Sequence, residues 1–203
     1  MSIFPGMSAT GRRVRGPITD LIEFIDDDDV IFTALVFQSA YRSDPTLDDG
    51  IETILGFLEM SMVPGLLDLK LHPAKTGTFV YRTLKARSLW ELVGCFDEPM
   101  GEKAGLEVLE KGAAILLEAA ATGEVQGVYC HGGIAPTNVL VSEEGAVGII
   151  GYGIPQVDIL DFLDDEEFVP KADRLRCCPP ERLQGEEEDI STDLFCLALV
   201  AAE

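Results

Sequence analysis

The sequence predicts an α+β protein, and three observations carry that prediction. Runs rich in β-branched and aromatic residues concentrate in its first half, with Val30–Phe37 (VIFTALVF) the clearest. A long segment from about Lys103 to Ala121 then places Leu106, Leu109, Ala113, Leu116, Leu117 and Ala120 at helical spacing. The chain has 203 residues, 47% of them hydrophobic, which is enough to bury a sizeable core.

The elements follow in order. Met1–Arg15 mixes Gly, Ser and Arg, and residues 1–19 read as a flexible N-terminal arm. Leu21–Ile25 and Val30–Phe37 form a hairpin signal around the acidic run Asp26–Asp29, whose like charges must face water. Asp44–Met62 reads as a helix. Ser43 or Asp44 caps it, Pro45 suits its first position, and Leu47, Ile51, Ile54, Leu55 and Leu58 recur along one face. Pro64-Gly65 ends it. Leu66–Leu71 and Thr78–Leu84 are strand-like and separated by turn residues.

Ser88 opens a helix over Leu89–Val93, and the long helix from Lys103 stops near Gly123. Val128–Cys130, Val139–Val141 and Val147–Ile150 are predicted as short strands. After Gly151 the chain turns irregular and acidic through Asp158–Glu167. A last apolar helix begins near Thr192.

Charge narrows the function classes. Fifteen Lys and Arg stand against 36 Asp and Glu, a formal net charge of −21. Phosphate backbones and anionic bilayers select Lys and Arg, so neither nucleic acid nor membrane is an expected partner. Leu194–Ala202, the longest apolar stretch, falls far short of the ~20 residues of a membrane span. The five cysteines are scattered, with Cys177 and Cys178 adjacent, and the histidines number two, His72 and His131. No metal site and no disulfide framework are expected, and the economical compartment is the cytoplasm.

Specific chemistry enters at Val128–Val141, VYCHGGIAPTNVLV. It resembles the catalytic loop of the protein kinase family, H-R-D-L-x-P-x-N-x-L, with His131, Ile134, Pro136, Asn138 and Leu140 in register. Val147–Gly153 (VGIIGYG) resembles the strand and D-F-G turn that follow that loop, placing Tyr152 and Gly153 at the last two D-F-G positions. Pro179-Pro180-Glu181-Arg182 resembles the A-P-E motif. Ser191–Phe195 is similar to the start of the family's central helix, where Asp193 would bond back to the loop. Upstream, Val30–Phe37 resembles the lysine-bearing strand, Asp44–Met62 the regulatory helix of the small lobe, and Phe79–Leu89 the hinge. The resemblance implies a two-lobed kinase-like fold. The β-rich N-lobe, with its one helix, would span residues 20–84. The helical C-lobe would span 85–203 and end within the central helix. Leu194, Phe195, Leu197, Leu199 and Val200 would then be partly uncovered, by design or because the chain is a fragment.

The departures from the family pattern predict lost catalysis. Phosphoryl transfer depends on positioning and electrostatics. Gly11–Phe24 offers Gly11 and Gly16 but no G-x-G-x-x-G. Val36 stands where the strand lysine belongs, leaving Glu52 of the regulatory helix without a partner. Gly133 stands at the catalytic Asp, Ala135 at the following Lys, and Gly151 at the metal-binding Asp. Asn138 alone remains of the metal ligands, and one neutral amide cannot hold Mg²⁺. Glu143 and Glu144 lie at the turn of the following hairpin, away from a nucleotide.

The expected protein is therefore a pseudokinase without cofactor, metal or bound ATP, acting as a protein-binding, scaffolding or regulatory module. Its partner would meet the acidic stretch Asp158–Glu167 through a basic surface, or cover the helix at 193–203. The alternative is an atypical nucleotide-binding protein or a serine/threonine kinase-related enzyme using the same cleft.

Overall fold

The computed structural model describes residues 6–15, 19–37, 69–71, 78–82, 86–96, 100–123, 128–152 and 179–202. The predicted helix Asp44–Met62 with Glu52, the position Gly153 and the acidic stretch Asp158–Glu167 lie outside them.

A five-stranded antiparallel sheet opens the chain, in the order β1-β2-β3-β5-β4. Its strands are β1 (Met7–Arg15), β2 (Thr19–Asp26), β3 (Ile31–Phe37), β4 (Leu69–Leu71) and β5 (Thr78–Arg82). The segment expected as a loose arm is thus largely a strand. Met7–Arg15 pairs with β2 from Met7↔Asp26 to Arg15↔Asp20. Its polar, Gly-containing sequence hid it, because an edge strand need bury little. The β2–β3 hairpin forms as the sequence predicts. Asp26 Oδ1 accepts the backbone N–H groups of Asp28 (3.0 Å) and Val30 (2.8 Å), and Asp29 takes a left-handed φ of 59°. Asp and Asn tolerate that conformation best, so an all-Asp turn works without Gly. Phe24, Phe32 and Ala34 form a small core, with Met7, Ile22, Val30 and Val36 packed against it.

Beyond the sheet lie β6 (Ala86–Ser88), α1 (Leu89–Phe96), α2 (Glu102–Gly123), β7 (Val139–Ser142), β8 (Val147–Ile149), α3 (Pro180–Gln184) and α4 (Ile190–Ala202). Strands β6, β7 and β8 make a second sheet in that order. Val128–Cys130, expected as a strand, lies outside the strands and helices. The sequence reading also missed β6 and α3, both short. α4 begins at Ile190, two residues before the expected start, because its cap is Asp189. Asp189 Oδ1 accepts the Ser191 N–H (2.8 Å) and hydroxyl (2.5 Å), and the Thr192 hydroxyl accepts the Asp189 N–H (3.4 Å).

Two glycines position α4. A Cβ on Gly105 would sit 2.5 Å from the backbone oxygen of Ala201, and one on Gly112 would sit 2.9 Å from Leu197 Cδ2. These notches let α4 lie close against α2. Leu197 (0% exposed) and Val200 (1%) are fully buried, against the expectation of an uncovered face. Leu194 and Leu199 are half-buried, and Phe195 is exposed. The main core joins Leu89, Val108, Leu116, Val139, Ile149 and Leu197. Among the described residues no helix is long and apolar enough to cross a membrane.

Candidate functional site

The loop His131–Asn138 runs between the core and β7, and hydrogen bonds fix almost every turn of it. Asp193 reaches in from the first turn of α4. Its Oδ2 accepts the His131 N–H at 2.5 Å and its Oδ1 accepts the Gly132 N–H at 3.0 Å. The carboxylate is 1% exposed. It therefore bonds the loop backbone as the sequence implies, while Asp189 rather than Asp193 caps the helix.

His131 is also 1% exposed, and its Nε2 donates to the Ile150 carbonyl at 3.0 Å. A carbonyl can only accept, which fixes the proton on Nε2. The imidazole meets the Tyr152 ring edge-on, with centroids 5.8 Å apart and planes at 84°. Tyr152 is buried, and burial, with the nearby Asp193 carboxylate and Cys130, pushes its phenol well above the ordinary range. It stays neutral and acts as a packing group.

Asn138 closes the loop. Its Oδ1 accepts the Ala135 N–H (2.9 Å), its Nδ2 donates to the Gly133 carbonyl (2.6 Å), and its backbone N–H bonds Ala135 O (3.1 Å). The Ile150 N–H donates to the Asn138 carbonyl (3.1 Å), which carries the constellation onto the chain entering Gly151. Gly151 has φ +88°. That left-handed backbone suits glycine, and a side chain there would be strained.

Over nearly its whole length the chain is similar to solved structures. The kinase domain of Mycobacterium tuberculosis PknI matches with a TM-score of 0.64 and 16% identity, over 98% of this chain and 73% of that one. A double mutant of the same domain matches with a TM-score of 0.66, again at 16% identity, over 98% and 74%. No family model matches the sequence, and no curated protein matches it. The chain has a protein-kinase-like fold.

In that kinase-like fold the five-stranded sheet comes first in the chain, and the helical elements from α1 onward follow it. His131, Asn138, Tyr152 and Asp193 come together around one loop, as the sequence implies. Val36 lies in β3, half-buried against the core of the five-stranded sheet. Ala135 and Gly133 contribute backbone groups to the Asn138 bonds. Glu181 lies in the first turn of α3, and its Oε2 is buried without a hydrogen-bond partner among the described residues. Glu143 and Glu144 are exposed at the β7–β8 turn, as expected.

Sequence reasoning missed Arg12 and Glu91. The β1–β2 register shifts between Ala9 and Arg13, where Gly11 takes φ +90°. That bulge re-aims Arg12 away from the regular ladder. Its guanidinium grips Glu91 of α1 with both forks, Nε to Oε1 and Nη2 to Oε2, each at 2.5 Å. Nη1 donates to Glu23 Oε2 (2.6 Å) and to the Ala86 carbonyl (2.8 Å). The bonds to Glu91 join β1 to α1 across 79 residues of chain.

Glu91 is fixed from its other side. Ser88 N–H (2.9 Å) and Ser88 Oγ (2.8 Å) both donate to Oε2, forming a capping box at the start of α1. Burial opposes ionisation of Glu91, but the hydrogen bonds from Arg12 and Ser88 outweigh it and hold the carboxyl below its ordinary value. The Glu91 hydrogen bond likewise holds Arg12 above its ordinary value, despite burial. Ser88-x-x-Glu91 was legible in the sequence as a capping box; the identity of its distant cation was not.

Proposed function

We propose that this chain is a catalytically silent kinase-fold module that works by binding other proteins. The observation that carries the reading is the chemistry of the His131–Asn138 loop. No Asp or Glu lies within it. The carboxylate that reaches it, Asp193, is buried and bonded to two backbone amides. Phosphoryl transfer needs a carboxylate to orient the acceptor hydroxyl and further carboxylates to hold the cation. Here Gly133 offers a carbonyl already bonded to Asn138, and both ends of the Asn138 amide serve the loop backbone. Val36 supports the same reading, since an apolar side chain in the N-lobe core supplies no charge to a triphosphate.

Such a loop keeps a fold in shape while performing no proton transfer. The function then resides on surfaces, and the strong negative charge selects partners with basic ones.

The test is thermal unfolding with millimolar ATP, with Mg²⁺ and with EDTA. A ligand at about 100 times its Kd adds about 2.7 kcal/mol, several degrees in Tm for a domain of this size. We expect no shift in any condition. A Mg²⁺-dependent shift would overturn the silent-cleft reading in favour of an enzyme. A shift that persists in EDTA would identify a metal-free nucleotide sensor.

A further inference from the structure

The bulge in β1 gathers an exposed hydroxyl and a guanidinium around one carboxylate. The register steps from Ala9↔Phe24 to Arg13↔Ile22, so Thr10, Gly11 and Arg12 stand against Glu23 alone. Glu23 is shared between them. Its Oε1 accepts the Thr10 hydroxyl at 2.8 Å, and its Oε2 accepts Arg12 Nη1 at 2.6 Å. The Arg12 N–H donates back to Thr10 Oγ1 at 3.3 Å. The Thr10 hydroxyl is thus one carboxylate away from the guanidinium that holds Glu91.

The hydroxyl is within reach of a second protein. Ser8, Ala9, Thr10 and Gly11 are all exposed, on the edge strand of the sheet. Residues 10–12 lie outside the paired register, so this short segment can open locally at small cost. Thr10-Gly11-Arg12-Arg13 also places two cations directly after the hydroxyl. They suit the segment to an enzyme whose substrate groove is acidic. They also supply partners for a phosphate, which guanidinium binds through paired hydrogen bonds. Arg13 is engaged with Asp20, and Arg12 is the cation already beside Glu23.

We propose that Thr10 is a phosphorylation site and that its phosphate releases Arg12 from Glu91. A separate serine/threonine kinase with ATP supplies the phosphoryl group. The bond from Oγ1 to the γ-phosphorus forms, the bond from that phosphorus to its bridging oxygen breaks, and ADP leaves. The hydroxyl proton passes to that kinase's base. The product carries a charge of about −1.5 to −2 and has no hydroxyl proton. It loses the bond to Glu23 Oε1 and faces that carboxylate as a like charge. Glu23, Glu91 and the phosphate then compete for one guanidinium, and the phosphate carries the most charge. The inference does not rest on the protein-binding reading above, because another enzyme performs the chemistry.

The site itself is tested by incubating the whole chain with Mg-ATP and a serine/threonine kinase that selects Arg after its acceptor. Tandem mass spectrometry then locates the phosphate. Thr10 should take up most of it, with at least about tenfold less incorporation into Thr10→Val and into the Arg12→Ala, Arg13→Ala double variant. Phosphate on Ser8 or elsewhere, with Thr10 unmodified, would overturn the site.

The release is tested on the whole chain with phosphothreonine incorporated at position 10, beside the unmodified chain and Thr10→Val. The valine removes the hydrogen bond to Glu23 without adding charge. A double-mutant cycle of Arg12→Ala and Glu91→Ala, read by urea unfolding, gives the coupling in each background. In the unmodified chain the coupling should be about five- to thirtyfold in the unfolding equilibrium constant. With phosphothreonine it should fall below about twofold, while Thr10→Val keeps it within about twofold of the unmodified value. Coupling that survives phosphorylation, or that falls as far in Thr10→Val, would overturn the release.

Discussion

Asp193 shows how much one buried carboxylate can hold. It takes two backbone N–H groups of the loop at 2.5 and 3.0 Å, from a side chain that is 1% exposed. Truncating it removes the acceptor from one buried and one half-buried N–H, at about 1–3 kcal/mol each. Asp193→Ala is expected to cost about 2–5 kcal/mol, read as a lowered urea midpoint. Asp193→Asn retains one acceptor and should fall between the two. A loss below about 0.5 kcal/mol for Asp193→Ala would show that water replaces the carboxylate easily, and the loop would not depend on α4.

At the scale of elements, the packing of α4 on α2 depends on two absent side chains. Ala ordinarily stabilises a helix interior over Gly by about 1 kcal/mol. At Gly105 that gain meets a backbone oxygen 2.5 Å from the new Cβ, which cannot move without shifting α4. Gly105→Ala should therefore destabilise by about 1–3 kcal/mol, as overpacking does. At Gly112 the neighbour is the end of a leucine side chain at 2.9 Å, which can rotate away. Gly112→Ala is expected to lie within about 1 kcal/mol of the parent. Thermal unfolding of the two variants side by side checks the contrast, and equal effects would contradict it.

For the whole molecule, the Arg12–Glu91 bond ties β1 to α1, 79 residues apart in the chain. Both side chains are shielded, at 25% and 19% exposure, and the contact is forked, so it should exceed an ordinary surface pair. A double-mutant cycle with Arg12→Ala and Glu91→Ala is expected to give a coupling of about 1–2 kcal/mol. The pH dependence follows from the lowered pKa of Glu91. Its contribution is fully present above the ordinary value of 4.5 and is lost as pH falls through the lower, folded value. The parent should lose stability more steeply below about pH 4.5 than Glu91→Gln does, since the unfolded chain binds that proton first. Parallel curves would mean that Arg12 does not hold Glu91 ionised. Added salt acts in the opposite sense on the rest of the chain. A formal charge of −21 repels itself, so raising ionic strength to about 0.3 M should raise Tm overall.

The sequence by itself determined the α+β class, the β2–β3 hairpin and the α2 helix, and resemblance pointed to the loop residues His131, Asn138, Tyr152 and Asp193. The expected apolar stripe of α2 was misplaced: Leu106 and Leu117 are exposed, and the helix buries Val108, Ile115, Leu116 and Ala119, a face set by the two glycines that receive α4. The elements were legible because each depends on local periodicity, and the loop residues because their motifs resemble those of the kinase family in the right order. Only the tertiary structure decided that Met7–Arg15 is an edge strand, since strand pairing is a long-range contact that polar residues do not announce. It also buried Leu197 and Val200, because the missing side chains of Gly105 and Gly112 act from another helix. It joined Arg12 to Glu91 across 79 residues, through a bulge that has no sequence spacing to betray it. Local chemistry names the residues that can act, and packing between distant segments chooses their partners.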